Sequence, residues 1–104
     1  MQAVYLKFYL TEKQKHEDQL LYEWLLEFAK RIGVPGGSVY RAIAGYGRHG
    51  SLHAETFIEL GGELPIQVEF ILEEQLSRTF LETLRAYQLD IRYVSFPVNA
   101  GVTK

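Results

Sequence analysis

Hydrophobic residues recur along this chain with a period that changes from two to about 3.6 and back, twice over. Residues Ala3 to Leu10 alternate, with Val4, Leu6, Phe8 and Leu10 on one side and Tyr5, Lys7 and Tyr9 on the other. That alternation predicts a strand with one apolar face and one mixed face. Thr11 to Asp18 is polar and charged and reads as a loop, with Asp18 the expected N-cap of a helix. From Leu20 the period changes: Leu21, Leu25, Phe28 and Ile32 recur at helical spacing with Trp24 beside them. Gly33 stands where a C-terminal cap belongs, and Pro35-Gly36-Gly37 breaks the chain again. Ser38 to Ala44 reads as the second strand. Ala54 to Leu60 reads as a short strand or the returning arm of a long hairpin, punctuated by Gly61-Gly62 and Pro65. The third strand carries Ile66, Val68, Phe70 and Leu72 against Gln67, Glu69 and Ile71. Glu73 and Glu74 place negative charge at the positive end of a second helix, whose stripe is Leu76, Phe80, Leu84 and Tyr87. The last strand runs from about Asp90 to Val98, before a short tail.

The order is β-α-β, a long loop, and β-α-β. Right-handed crossovers then put both helices on one face of a four-stranded antiparallel sheet, an α+β, ferredoxin-like sandwich. With 104 residues, the chain is expected to be one domain spanning 1–104. A small domain gains from burying surface in an oligomer. The second sheet face, with Tyr5, Lys7, Tyr9, Gln67 and Glu69, is too aromatic for water alone and suits a subunit or a ligand.

A net charge of -2 and a pI near 5.9 oppose broad attachment to nucleic acid or to an anionic membrane. The absence of cysteine excludes disulfides and thiolate zinc sites. No apolar run approaches a spanning helix and no secretory signal is visible, so the expected location is cytoplasmic. RNA stacking on the sheet is disfavoured because the third strand offers only Phe70, on its apolar side.

The stretch Val39 to His53 concentrates three glycines, two arginines and two histidines where a strand dissolves into a loop. Gly45, Gly47 and Gly50 allow a ligand close to backbone N–H groups. Arg41 and Arg48 offer planar, permanently charged forks for a phosphate or carboxylate. The bland alternative is that the glycines end the strand and the charges are solvated. Ser51 and His53 lack an acid partner at any telling spacing, so no catalytic residue is assigned and no enzyme is expected. His49, His53 and Glu55 are metal-ligating types at short spacing, read here as solvated or hydrogen-bonded loop residues.

The chain resembles the family called domain of unknown function 190, whose members look like PII signal-transduction proteins. The resemblance rests on the Tyr-rich first strand, Leu21-Tyr22 opening the first helix, Gly37-Ser38-Val39 and Leu64-Pro65-Ile66. Its most specific part is Arg41-Ala42-Ile43-Ala44-Gly45-Tyr46-Gly47 with His53 downstream. Gly45-Tyr46-Gly47-Arg48-His49-Gly50 is also similar to the base of the T-loop in PII proteins. There, backbone and arginine border an adenine-nucleotide site between subunits of a trimer. The resemblance implies that Gly45, Gly47 and Arg48 do the same work, with His49 near a position where PII proteins place a glutamine. PII proteins also carry a glycine- and lysine-rich phosphate loop between the second helix and the last strand. Here that connection is Arg85-Ala86-Tyr87-Gln88-Leu89-Asp90, without glycine or lysine, which favours an AMP-like ligand over magnesium-ATP.

The implied function is that of a homotrimeric regulator. A small anionic metabolite, an adenine nucleotide by preference, would bind Arg41, Gly45, Tyr46, Gly47, Arg48, His49 and His53. Binding would order the loop and so control a transporter or enzyme partner. No cofactor is required and no metal is assigned. The alternatives are a protein-binding trimer without a small ligand and a metal-binding trimer similar to copper-tolerance proteins.

Overall fold

A computed structural model describes residues 2–45 and 64–104. Its elements in chain order are β1 (Gln2–Thr11), β2 (Lys15–His16), β3 (Gln19–Leu20), α1 (Leu21–Arg31), β4 (Gly37–Arg41), β5 (Pro65–Leu72), α2 (Glu74–Ala86) and β6 (Arg92–Asn99). The main sheet has the order β4-β5-β1-β6, and each neighbouring pair is antiparallel. That is the ferredoxin-like α+β arrangement expected from the period changes. The expected strand within 54–60 lies outside the described residues.

The alternation in β1 and β5 records the core directly. Leu6, Phe8, Leu10, Ile66, Val68, Phe70 and Leu72 are buried, and they meet Leu21, Trp24, Leu25 and Ala29 of α1 and Phe80 and Leu84 of α2. Phe80 is fully buried, with its ring centroid 5.4 Å from Phe8 and Phe28 and 5.2 Å from Phe70. It is the point where the second helix, the first helix and the sheet interlock.

Four boundaries differ from expectation, each for a local reason. Asp18 does not cap α1. It forms, with Glu17, the turn of the short β2–β3 hairpin, both residues having positive φ (63° and 52°) as a two-residue type I′ hairpin requires. The first helical N–H, that of Leu21, instead donates to the Gln14 carbonyl at 2.7 Å. The second strand ends at Arg41 rather than Ala44. There the Ala42 N–H closes on the Pro65 carbonyl at 2.9 Å, and proline has no N–H to continue the ladder. The last strand starts at Arg92 because Gln88 and Leu89 close α2 and the Ile91 N–H turns back to the Leu89 carbonyl. Tyr87, expected on the apolar stripe of that helix, is its half-exposed C-cap. Its ring meets those of Trp24 and His16 edge-on, at centroid distances of 5.3 and 5.5 Å.

Both helices end in the same six-residue motif. In α1 the Gly33 N–H bonds the Lys30 carbonyl and the Val34 N–H that of Ala29, with Gly33 at φ 99°. In α2 the Gln88 N–H bonds the Arg85 carbonyl and the Leu89 N–H that of Leu84, with Gln88 at φ 58°. A side chain in the left-handed region costs about 1–2 kcal/mol, which glycine avoids at some cost in unfolded-chain entropy. Gln88→Gly is therefore expected to stabilise the protein by about 0.5–1 kcal/mol, read as a Tm rise of several degrees. An unchanged or lower Tm would show that Gln88 makes compensating contacts.

Candidate functional site

The elements that carry the proposed site converge where β4 and β5 pass the end of β1. Arg41 is the last residue of β4, paired with Ile66 in the ladder. Its parity matches Val39, so it emerges on the helix side of the sheet just beyond the core. Glu12 follows the last residue of β1 and has the parity of Leu10. The Arg41 guanidinium donates to the Glu12 carboxylate, forming an ion pair in which Arg41 is the more exposed partner. The Glu12 N–H also donates to the Leu64 carbonyl at 2.7 Å. Glu12 thus touches the chain on both sides of the segment 46–63, by side chain at Arg41 and by backbone at Leu64.

Gly45 is described and is not among the glycines at positive φ. Among the described residues, a Cβ there would meet nothing within 4 Å. Tyr46, Gly47, Arg48, His49 and His53 lie outside the described residues, as does Glu55. Of the sequence-derived set, the structure therefore describes Arg41 and Gly45. It adds Glu12, which sequence reasoning left in an anonymous polar loop.

The connection after α2 closes that helix. The N–H groups of Tyr87, Gln88 and Leu89 close the helix on the carbonyls of Thr83, Arg85 and Leu84, and that of Ile91 turns back to the Leu89 carbonyl. Amides already hydrogen-bonded within the chain are not available as oxyanion donors. This is the physical counterpart of the missing glycines and lysine.

The sheet face away from the helices is built from cross-strand rows. Ile71, Tyr5 and Phe96 lie side by side, and Tyr5 and Phe96 stack at 4.9 Å with a 21° tilt. Ile71 and Phe96 are 46% and 50% exposed, and Val94, Tyr40 and Tyr9 add to the same face. In the middle, the Tyr5 hydroxyl donates to the Glu69 carboxylate, and the Lys7 ammonium stands 5.6 Å from the Tyr5 ring centre. The bond to Glu69 raises the Tyr5 pKa, with burial adding to it, since ionising the phenol would set two negative charges together. So large an exposed apolar row suits an interaction surface.

A groove of about 1060 Å³ lies at the opposite end of the sheet, between the start of α2 and β6. Glu73 and Glu74 line it, and Arg78 beside them is paired with Glu74, so the groove offers an anion little. Among the described residues no group of three or more His, Asp or Glu side chains could hold a metal ion. Nor is any described helix long and apolar enough to cross a membrane.

The family model DUF190, described as Uncharacterized ACR, COG1993, matches residues 3–98. The chain is 38% identical to the UPF0166 protein of Aquifex aeolicus over 80 residues, covering 77% of this chain and 76% of the relative. It is 37% identical to the UPF0166 protein MJ1524 of Methanocaldococcus jannaschii over 79 residues, covering 75% and 72%. Its fold is similar to that of CPII, a nitrogen regulatory PII-like protein from Thiomonas intermedia K12, in the structure bound to ADP, AMP and bicarbonate. That match has a TM-score of 0.71 at 16% identity and covers 98% of this chain and 91% of CPII. The apo form of CPII matches with a TM-score of 0.63 at 14% identity, covering 98% and 95%. At such identities the likeness is one of fold. From the family model and the two relatives together, the chain belongs to the DUF190, or UPF0166, family, and its fold is PII-like.

Proposed function

We infer that this protein is a non-enzymatic, PII-like regulator whose ligand is a small anionic metabolite, an adenine nucleotide with few phosphates by preference. The observation that carries the reading is Arg41. It is a permanently charged fork at the exit of β4, four residues before Gly45 and at the root of the Gly/Arg/His-rich segment. The ADP, AMP and bicarbonate bound to CPII support the ligand class. The committed amides after α2 favour a mono- over a triphosphate. In this reading three copies associate through the open face bearing Tyr5, Ile71 and Phe96, and the ligand sits between subunits. There it engages Arg41, Gly45, Tyr46, Gly47, Arg48, His49 and His53. Binding fixes the segment from about Gly47 to Leu60 and so changes the surface offered to a transporter or enzyme, in the cytoplasm.

The test is thermal unfolding of the metal-stripped protein, with the oligomeric state checked by sedimentation. AMP, ADP, ATP and cyclic nucleotides are each added with and without magnesium. A ligand at a hundred times its Kd is expected to add about 2.7 kcal/mol per site. AMP is expected to shift the transition more than magnesium-ATP at equal concentration. A folded oligomer that no nucleotide shifts would sink the sensor reading and leave a protein-binding scaffold. A shift by copper or zinc alone, abolished by chelator, would favour the metal-binding alternative.

A further inference from the structure

The ion pair at the root of the site places a fixed negative charge against the group proposed to receive an anion. Glu12 and Arg41 are 29 residues apart in sequence, and only the adjacency of β1, β5 and β4 brings them together. The carboxylate is the less exposed partner, with 26% side-chain exposure against 59% for the guanidinium. Its backbone is held by the bond from its N–H to the Leu64 carbonyl, and the Arg41 backbone is held in the β4–β5 ladder. The framework therefore fixes the two backbone positions from which the charges meet.

We propose that Glu12 sets the charge preference of the site, admitting weakly charged anions to Arg41 and discriminating against polyanions. The proposal rests on the sensor reading above. An incoming anion meets a guanidinium whose charge is already largely cancelled. It must share the fork with Glu12 or displace it, and every further negative charge on the ligand is repelled by the same carboxylate. The penalty grows along the series AMP, ADP, ATP, because each phosphate adds charge while Glu12 stays in place. For charges about 8 Å apart in a largely aqueous dielectric, each extra ligand charge is worth roughly a threefold change in affinity at low salt.

The experiment compares Kd values for AMP, ADP and ATP, without magnesium at low ionic strength, in the full-length protein, Glu12→Gln and Glu12→Asp. Gln keeps the size and a hydrogen-bond acceptor for Arg41 but removes the charge; Asp keeps the charge but shortens the reach. Circular dichroism and Tm establish that each variant folds, as is expected for a solvent-exposed pair. Glu12→Gln is expected to bind all three more tightly. Its ATP gain should exceed its AMP gain by roughly tenfold at low salt and by less at higher salt. Glu12→Asp is expected to keep the original AMP-to-ATP ratio. If the nucleotides bind but Glu12→Gln leaves that ratio unchanged, Glu12 is only a brace; the proposal falls and the sensor reading stands. If Glu12→Asp changes the ratio as much as Glu12→Gln does, the effect is one of geometry and the proposal also falls. If no nucleotide binds any of the three proteins, the sensor reading fails and takes this proposal with it.

Discussion

Replacing Phe80 with Ala is expected to lower the unfolding free energy by about 3–5 kcal/mol. The ring is fully buried and has aromatic neighbours on three sides, Phe8 and Phe70 from the sheet and Phe28 from α1. Phe28 in turn stacks on Trp24 at 5.4 Å, so the cavity would open under two helices at once. Close-packed interiors relax only in part around such a hole, and the lost contacts add to the lost transfer energy. A domain of this size has a total stability of about 5–15 kcal/mol, so the variant should stay mostly folded unless the starting stability is at the low end of that range. Urea titration at one fixed protein concentration measures the loss as a lower midpoint at unchanged slope; fixing the concentration matters if the chain self-associates. Phe80→Leu, which keeps most of the volume, is expected to lose less than half as much. A loss under about 1 kcal/mol for the Ala variant would mean that the helices can close the gap, contrary to the interlocked rings.

How much of this was legible beforehand follows from what periodicity records. Alternation in β1 and β5 and the helical stripes are direct images of burial, so the four-stranded sheet, the two helices and the core could be read from the order of residues. What failed was local and conformational. The Glu17-Asp18 turn lacks the Asn-Gly or Asp-Gly pair that normally marks a two-residue hairpin, and Asp18 looks like a helix cap. Gln88 likewise occupies a left-handed cap position usually announced by glycine.

For the proposed site, Arg41 and Gly45 could be singled out beforehand because they carry their chemistry in their identity. Glu12 was invisible for a different reason. A carboxylate in a polar loop has no periodic signature, and its meeting with Arg41 is produced by the sheet order alone. Charge pairs of long sequence separation are a property of topology, and topology had to come first.

Gly37→Ala is expected to destabilise the protein by about 1–3 kcal/mol, although a Gly-to-Ala change in a strand is ordinarily neutral or favourable. Gly37 opens β4 directly opposite Phe70 in the ladder, and the Phe70 ring lies across it. A Cβ at Gly37 would stand 2.4 and 2.6 Å from two ring carbons of Phe70 and 3.2 Å from a Leu26 methyl. The ring cannot swing away, being 2% exposed and wedged edge-on against Phe8 at 6.2 Å and tilted against Phe80 at 5.2 Å. The cost is therefore steric rather than conformational, since Gly37 is not at positive φ. Gly36 is the internal control. It precedes Gly37 and a Cβ there meets nothing within 4 Å among the described residues, so Gly36→Ala is expected to lie within about 0.5 kcal/mol of the original or slightly above it. A double-mutant cycle completes the argument, because Phe70→Leu removes the ring carbons in question. Gly37→Ala in that background is expected to cost at least 1 kcal/mol less than in the native chain. Additive losses would show that the strain at Gly37 comes from the backbone or from Leu26, and not from the ring that covers it.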